Sequence, residues 1–153
     1  MYRNILVAVD GSDTSRLALD HAIALAKSES ARLLAIFVVE YPSSVYSSAF
    51  FDIEPFYAAM MEEARTVLDG AKRQIEAGGA VGDTKVVDAG ALGGSIAEQI
   101  QAAAADTHSD LVVLGTHGRR GFQRLMLGSV AEAYVRLSTC PVLLVHGKEA
   151  KAD

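Results

Sequence analysis

Glycines and basic residues are concentrated between Leu111 and Ser129, in the sequence LVVLGTHGRRGFQRLMLGS. The segment begins with four apolar residues that are typical of a buried strand. Three glycines follow, at Gly115, Gly118 and Gly121, and they allow backbone N–H groups to approach a ligand closely. A new helical pattern starts at its end, and a helix N-terminus attracts anions through its unpaired N–H groups and its dipole. Three arginines lie in the same loop: Arg119, Arg120 and Arg124. These residues predict a phosphate-binding loop.

A purely structural interpretation of the same residues is also open. Ser129 and Glu132 have the S-x-x-E spacing of a capping box, which satisfies helix N–H groups without any ligand. The glycines could serve as turn residues. Arg119 and Arg120 could equally be solvated loop residues.

Other nucleotide signatures are absent from the sequence. No Gly-Lys-Ser/Thr is present, and the first strand leads into Asp10-Gly11-Ser12 instead of G-x-G-x-x-G. His117 lies inside the glycine-rich loop, but the loop contains no carboxylate to complete a phosphoryl-transfer site. The histidines show no metal-ligand spacing. We therefore expect His117 to be a polar loop residue or a phosphate donor, and no catalytic residue is predicted.

The spacing Gly115-x-x-Gly118, nine residues, then Gly128-Ser129 resembles the nucleotide-binding signature of ATP-binding universal stress proteins. The resemblance extends over most of the chain, from NILVAVDGS at 4–12 to CPVLLV at 140–145. It implies an ATP-binding regulatory or stress-response protein, with Mg²⁺ as a further component. It also implies a homodimer.

The resemblance further implies roles for particular residues. The nucleoside would contact Ala8, Val9, Asp10 and the backbone of Val38. The phosphates would be surrounded by Gly115, Thr116, Gly118, Gly128, Ser129 and Val130. His117 and Arg119 are further candidates for the phosphate site. Asp10 would accept a hydrogen bond or bind hydrated Mg²⁺; the alternative is that Asp10 caps or braces the first helix.

Composition limits the class of protein. The chain has 153 residues, a net charge of −5 and one cysteine. The acidic balance argues against a nucleic-acid or membrane-surface binder. One cysteine excludes an internal disulfide and is compatible with a reducing compartment. Neither a signal peptide nor a membrane span is visible, so we expect a cytoplasmic protein.

Apolar runs of strand length alternate with helical patterns along the chain. Strands are predicted at 4–9, 32–39, 83–90, 111–114 and 142–145. The order βαβ(loop)αβαβαβ predicts a doubly wound, three-layer α/β/α fold with a five-stranded parallel sheet in the order 3-2-1-4-5. A single domain is expected over 1–147, followed by a polar tail at 148–153. The ligand would lie between strands 1 and 4, where the chain reverses direction across the sheet.

Aromatic residues are concentrated in the segment 41–57: Tyr41, Tyr46, Phe50, Phe51, Phe56 and Tyr57. One interpretation is a flap that packs onto its own domain. The other is a docking surface for a regulated protein partner, because exposed apolar patches usually mark contacts.

The last strand, Val142–Val145, is wholly apolar and is predicted at a sheet edge. Such an edge favours pairing with a second copy about a two-fold axis, so a homodimer, or a higher oligomer containing it, is expected. Three functions remain open from sequence: a nucleotide-responsive binding module, a slow ATPase or nucleotidyl- or phosphotransferase, and a structural protein with an empty loop. The binding module is the leading interpretation.

Overall fold

The computed structural model describes residues 1–41, 52–88, 94–117 and 127–147. Five strands and four helices alternate within these ranges. In chain order they are β1 (Asn4–Ala8), α1 (Asp13–Glu29), β2 (Arg32–Val39), α2 (Glu54–Ala77), β3 (Val81–Asp88), α3 (Ile96–Asp106), β4 (Leu111–Gly115), α4 (Ser129–Leu137) and β5 (Val142–Val145). The predicted polar tail at 148–153 lies outside the described residues.

The strands form one parallel sheet in the order β3-β2-β1-β4-β5. This confirms the predicted doubly wound α/β fold and its strand order. β3, the most polar of the strands, lies at one edge, as its composition indicated. It begins two residues earlier than predicted, at Val81, because β2 pairs along its whole length from Arg32 opposite Val81 to Val39 opposite Asp88.

Side chains alternate between the two faces of the sheet and create two separate cores. In β1, Ile5 and Val7 pack against α1 and α2 in the first core. Leu6 packs against α3 and α4 in the second core. Because both faces of the central strands are covered, their sequences read as unbroken apolar runs rather than alternating ones.

Local sequence explains several helix ends. Ser12 caps α1, since its hydroxyl accepts from the Ser15 N–H at 3.2 Å. Ser95 and Glu98 form the predicted capping box at the start of α3. The predicted C-cap of α2 is also present: Gly78 is the cap, and Gly79 follows with φ +72°, a conformation that glycine adopts without strain.

Two further observations concern the single cysteine and the length of the helices. Cys140 is a free thiol, partly buried against the second core. No helix in the described part of the chain is long and apolar enough to cross a membrane.

Candidate functional site

The carboxyl ends of β1 and β4 lie side by side at the centre of the sheet. Val7 is paired with Val113, and both strands end within two residues of this pair. From β1 the chain turns towards α1 on one face, and after β4 it reaches α4 on the other. Diverging connections of this kind leave a crevice at the strand ends, which is the usual ligand position in open α/β sheets.

Asp10 braces the loop that leaves β1. Its carboxylate oxygen Oδ1 accepts from the Ser12 N–H at 2.9 Å, and its own N–H donates to the Ser15 hydroxyl at 3.3 Å. The Ser15 hydroxyl in turn donates to the Ser12 carbonyl at 2.9 Å. The bracing role that the sequence left open is therefore present, although Ser12 provides the helix cap. A contact between Asp10 and nucleoside or metal stays a prediction.

Thr116, the residue after β4, connects the end of this strand to β5 and to the start of α4. Its N–H donates to the Val145 carbonyl at 2.9 Å, and its carbonyl accepts from the Gly128 N–H at 2.6 Å. Thr116 is fully buried. A Cβ at Gly128 would lie 2.6 Å from that same Thr116 carbonyl oxygen. Glycine is thus required at 128 for the start of α4 to approach the end of β4.

Gly115 has a packing role in addition to its place in the motif, and its predicted contact with phosphate stays a prediction. A Cβ there would lie 3.0 Å from the carbonyl carbon of Thr14 and 3.2 Å from the Ser15 nitrogen. These atoms belong to the first turn of α1, on the opposite face from α4. Gly115 therefore lets α1 pack closely against β4.

The N-terminus of α4 has no side-chain cap among the described residues. Gly128 is the N-cap, and the first intrahelical bond runs from the Glu132 N–H to the Gly128 carbonyl at 2.9 Å. The alternative interpretation of Ser129 as part of a capping box does not hold, because Ser129 is already the first helical residue and Glu132 instead accepts from Arg136 at 2.9 Å. The N–H groups of Ser129 to Ala131 consequently have no acceptor within the helix.

His117 follows Thr116, two residues beyond the end of β4. Its Nδ1 lies 3.0 Å from the Thr116 hydroxyl. Its Nε2 is enclosed and makes no hydrogen bond with the described residues. If the threonine donates to Nδ1, then Nε2 carries the proton and is a donor without an acceptor. Sequence reasoning did not anticipate this pair, since the two residues are adjacent and nothing in the spacing signals that their side chains meet.

Three other predicted site residues share one face of the sheet. Ala8, Val38 and Val130 are all partly buried against the second core, the same side as α4. The Val9 side chain instead packs into the first core, so only its backbone is available on the α4 face. Two members of the predicted set, Gly118 and Arg119, lie outside the described residues. So do Arg120, Gly121 and Arg124.

No cluster of three or more His, Cys, Asp or Glu side chains that could hold a metal ion occurs within the described ranges. Asp10 is the acidic residue at the end of β1. A Mg²⁺ ion in the crevice would therefore draw most of its ligands from water and from phosphate oxygens, as this ion commonly does.

The two described ends of the aromatic segment meet near the carboxyl ends of β2 and β3. Tyr41, after β2, stacks on Tyr57 in α2 with ring centroids 6.1 Å apart and planes 6° from parallel. The Tyr57 hydroxyl donates to the Asp88 carboxylate at 3.3 Å. The charge of Asp88 raises the pKa of the Tyr57 phenol. Residues 42–51 of the segment lie outside the described residues, so its role as flap or docking surface stays open.

The fold and the crevice define a doubly wound α/β protein with a candidate anion site at the point where strand order reverses. The sequence profile of the Universal stress protein family matches residues 1–146. A universal stress protein of Methanocaldococcus jannaschii is 35% identical over 145 residues, which are 95% of this chain and 82% of that protein. The chain belongs to the universal stress protein family.

Solved structures agree with this assignment. A member of the family from Burkholderia pseudomallei is 35% identical and superposes with a TM-score of 0.77 over 94% of this chain and 96% of its own. A universal stress protein in complex with cAMP is 28% identical, with a TM-score of 0.69 over 95% of this chain and 97% of its own.

Proposed function

We propose that this protein is an adenine-nucleotide-binding regulatory module that prefers ATP. The observation that carries the proposal is the N-terminus of α4, which no side chain among the described residues caps and which a 2.6 Å hydrogen bond from Gly128 to Thr116 ties to the end of β4. Unpaired N–H groups and the positive end of a helix dipole favour a phosphate at this position. The related protein that was solved with cAMP supports a nucleotide as the ligand.

Individual roles follow from the geometry and from the family resemblance. The nucleoside lies at Ala8, the Val9 backbone and Val38, with Asp10 as acceptor or as a ligand to hydrated Mg²⁺. The phosphates lie at the first N–H groups of α4, with the exposed Ser129 hydroxyl as a further donor. His117 Nε2 and the loop residues Gly118 and Arg119 complete the phosphate site. ATP binds more tightly than AMP because it brings more anionic oxygens to these donors.

Two serines with the same S-x-x-E spacing provide a matched test. Ser129→Ala removes a donor from the phosphate site but no cap, so it should weaken ATP binding about tenfold or more, the value of a hydrogen bond to a charged group. Its thermal stability should match that of the wild type. Ser95→Ala removes a real cap and should cost about 1 kcal/mol of stability while leaving ATP affinity unchanged.

The measurements are calorimetric titration with ATP, AMP and cAMP, together with identification of any small molecule released when the purified protein is denatured. Normal ATP affinity in Ser129→Ala with reduced stability would contradict the proposal and restore the capping interpretation. Steady-state turnover with and without Mg²⁺ tests the alternative function, a slow ATPase or nucleotidyl- or phosphotransferase. Turnover well above background would replace the binding module with that enzyme.

We also propose a homodimer formed by antiparallel pairing of β5 with its symmetry mate. β5 is a sheet edge, and its residues Val142 to Leu144 are only partly buried. Pairing would remove two exposed apolar edges in one closed contact. The nucleotide-bound dimer would act in the cytoplasm on a regulated protein, with the segment 41–57 as the contact surface.

A further inference from the structure

Thr116 and His117 are adjacent in sequence, and their side chains meet beside the start of α4. The Thr116 hydroxyl lies 3.0 Å from His117 Nδ1. A Cβ at Gly128, the N-cap of α4, would lie 3.5 Å from the His117 Cα, so the backbone of this histidine lies next to the helix N-terminus. The pair is therefore adjacent to the N–H groups that we propose as the phosphate site.

The Thr116 hydroxyl and the two ring nitrogens of His117 have few partners. Thr116 is fully buried, and among the described residues its side chain bonds only to His117 Nδ1. The other ring nitrogen, Nε2, is enclosed and makes no hydrogen bond with the described residues. The positions of two protons, one on the hydroxyl and one on the ring, therefore decide how many of these polar groups are left unpaired.

Two neutral arrangements of the pair leave different numbers of unpaired groups. If the hydroxyl donates to Nδ1, the ring proton is on Nε2, and this N–H is the single unpaired donor. If Nδ1–H donates to the hydroxyl oxygen instead, both the hydroxyl proton and the Nε2 lone pair are unpaired. An unpaired buried polar group is costly, so the first arrangement is favoured. In that arrangement His117 is a neutral donor through Nε2.

We infer that Thr116 is a positioning residue that fixes the Nε2–H tautomer of His117, and that a phosphate oxygen of the nucleotide is the acceptor which Nε2–H lacks. The inference rests on the proposed function and adds how the histidine is prepared for the ligand. A free donor beside the positive end of a helix dipole favours an anion, and a hydrogen bond to a charged oxygen is stronger than one between neutral groups. In the opposite tautomer, Nε2 would present a lone pair to the same oxygen and repel it.

The tautomer is measured first, in the nucleotide-free full chain. Long-range ¹H–¹⁵N NMR at about pH 8, where an ordinary imidazole is neutral, should show a protonated Nε2 and an unprotonated Nδ1. His117→Gln identifies the signals of this ring by their absence. Thr116→Val keeps the shape of the side chain but removes the hydroxyl, so the Nδ1–H tautomer should become populated, and Thr116→Ser should restore the single tautomer. A protonated Nδ1 in the wild type, or an unchanged tautomer in folded Thr116→Val, would overturn the inference.

The link to the nucleotide is tested by a double-mutant cycle with calorimetric ATP titrations. Thr116→Val should weaken ATP binding about tenfold, the scale of a hydrogen bond to a charged group, and Thr116→Ser should recover most of the affinity. His117→Gln supplies an amide N–H, which has no tautomer to fix. Thr116→Val should therefore have no further effect in the His117→Gln background. Equal weakening in both backgrounds would show that Thr116 acts only through the structure and would overturn its positioning role.

Two further outcomes are decided by the wild-type protein alone. On saturation with ATP the His117 Nε2 resonance should shift, and an unchanged resonance would refute phosphate as its acceptor, whether or not Thr116→Val folds. If ATP does not bind at all, the proposed function fails, and the assignment of phosphate as the acceptor fails with it. The spectra of the nucleotide-free chain still report whether Thr116 fixes the tautomer, so the two failures are distinguishable.

Discussion

Gly128→Ala is the substitution that most directly tests how the candidate site is built. The backbone at Gly128 has φ −59° and ψ 151°, which alanine adopts without strain. Any effect must therefore come from space. The added Cβ would lie 2.6 Å from the Thr116 carbonyl oxygen, closer than real Cβ atoms approach, and that oxygen belongs to rigid backbone.

The expected cost has two parts. Forcing an extra methyl group into packed structure typically costs about 1–3 kcal/mol. Moving the start of α4 away also weakens the hydrogen bond from Gly128 to Thr116, which is worth about 1 kcal/mol. We expect a loss of about 1–4 kcal/mol of unfolding free energy, and ATP binding at least about tenfold weaker because the first N–H groups of α4 leave their position.

Urea unfolding and calorimetric titration with ATP measure the two effects. Gly147→Ala is the control, since a Cβ there would meet nothing closer than 3.8 Å, and it should behave like the wild type. Wild-type stability in Gly128→Ala would refute the close approach of α4 to β4. A destabilised variant with normal ATP affinity would refute the assignment of the phosphates to this helix.

Three further predictions address single contacts. Asp10→Ala should lose about 1 kcal/mol of stability, as for a lost cap, and should bind ATP more weakly. Asp10→Asn should retain the stability, because its side-chain oxygen still accepts from the Ser12 N–H. If calorimetry finds normal ATP affinity in both variants, Asp10 has a structural role alone. The carbonyls of Pro141 and Val145 accept from Val112 and Thr116 on the β4 side, so by alternation the Leu144 N–H faces the open edge of the sheet. Leu144→Pro removes that N–H and should yield a monomer in sedimentation. A wild-type protein that is monomeric at high micromolar concentration would contradict the proposed dimer. Burial raises the pKa of Tyr134, so the stability that its neutral phenol contributes is complete below about pH 10 and is lost as the pH rises further. In urea titrations Tyr134→Phe should therefore lose less unfolding free energy at alkaline pH than the wild type does. An equal alkaline loss in both proteins would contradict this.

The two serine motifs show what short-range sequence patterns can predict and where they fail. Ser95-x-x-Glu98 and Ser129-x-x-Glu132 have the same spacing, yet only the first forms a capping box. At the second, the bond from Gly128 to Thr116 begins the helix one residue earlier than the pattern implies. That bond joins residues twelve positions apart along the chain, so local spacing contains no information about it.

The architecture itself was predictable because it depends on periodicity and connection rules. Apolar runs of strand length alternating with helical patterns lead to parallel pairing with right-handed crossovers, which leaves few possible topologies. The open groove between α1 and α2, which Val67 and Gly70 help to line, was not predictable. In the sequence Gly70 is only a residue of low helix propensity within a long helical pattern, and the space beside it exists only once α1 packs against α2.

The glycines of the nucleotide-binding motif also serve the packing of the fold. Gly115 allows the first turn of α1 to pack closely against one face of β4. Gly128 allows the first residues of α4 to approach the backbone of Thr116, just beyond that strand. Both glycines therefore bring a helix N-terminus to the carboxyl end of β4, from opposite sides. Ser12 caps the first of these helices, and within the described residues no side chain caps the second. Because Ser12 already satisfies the start of α1, we propose that an anion entering the crevice binds to the first N–H groups of α4, which no described side chain caps. Within the described residues, one capping hydroxyl thus distinguishes the helix end to which we assign a structural role from the helix end that we propose as the phosphate site.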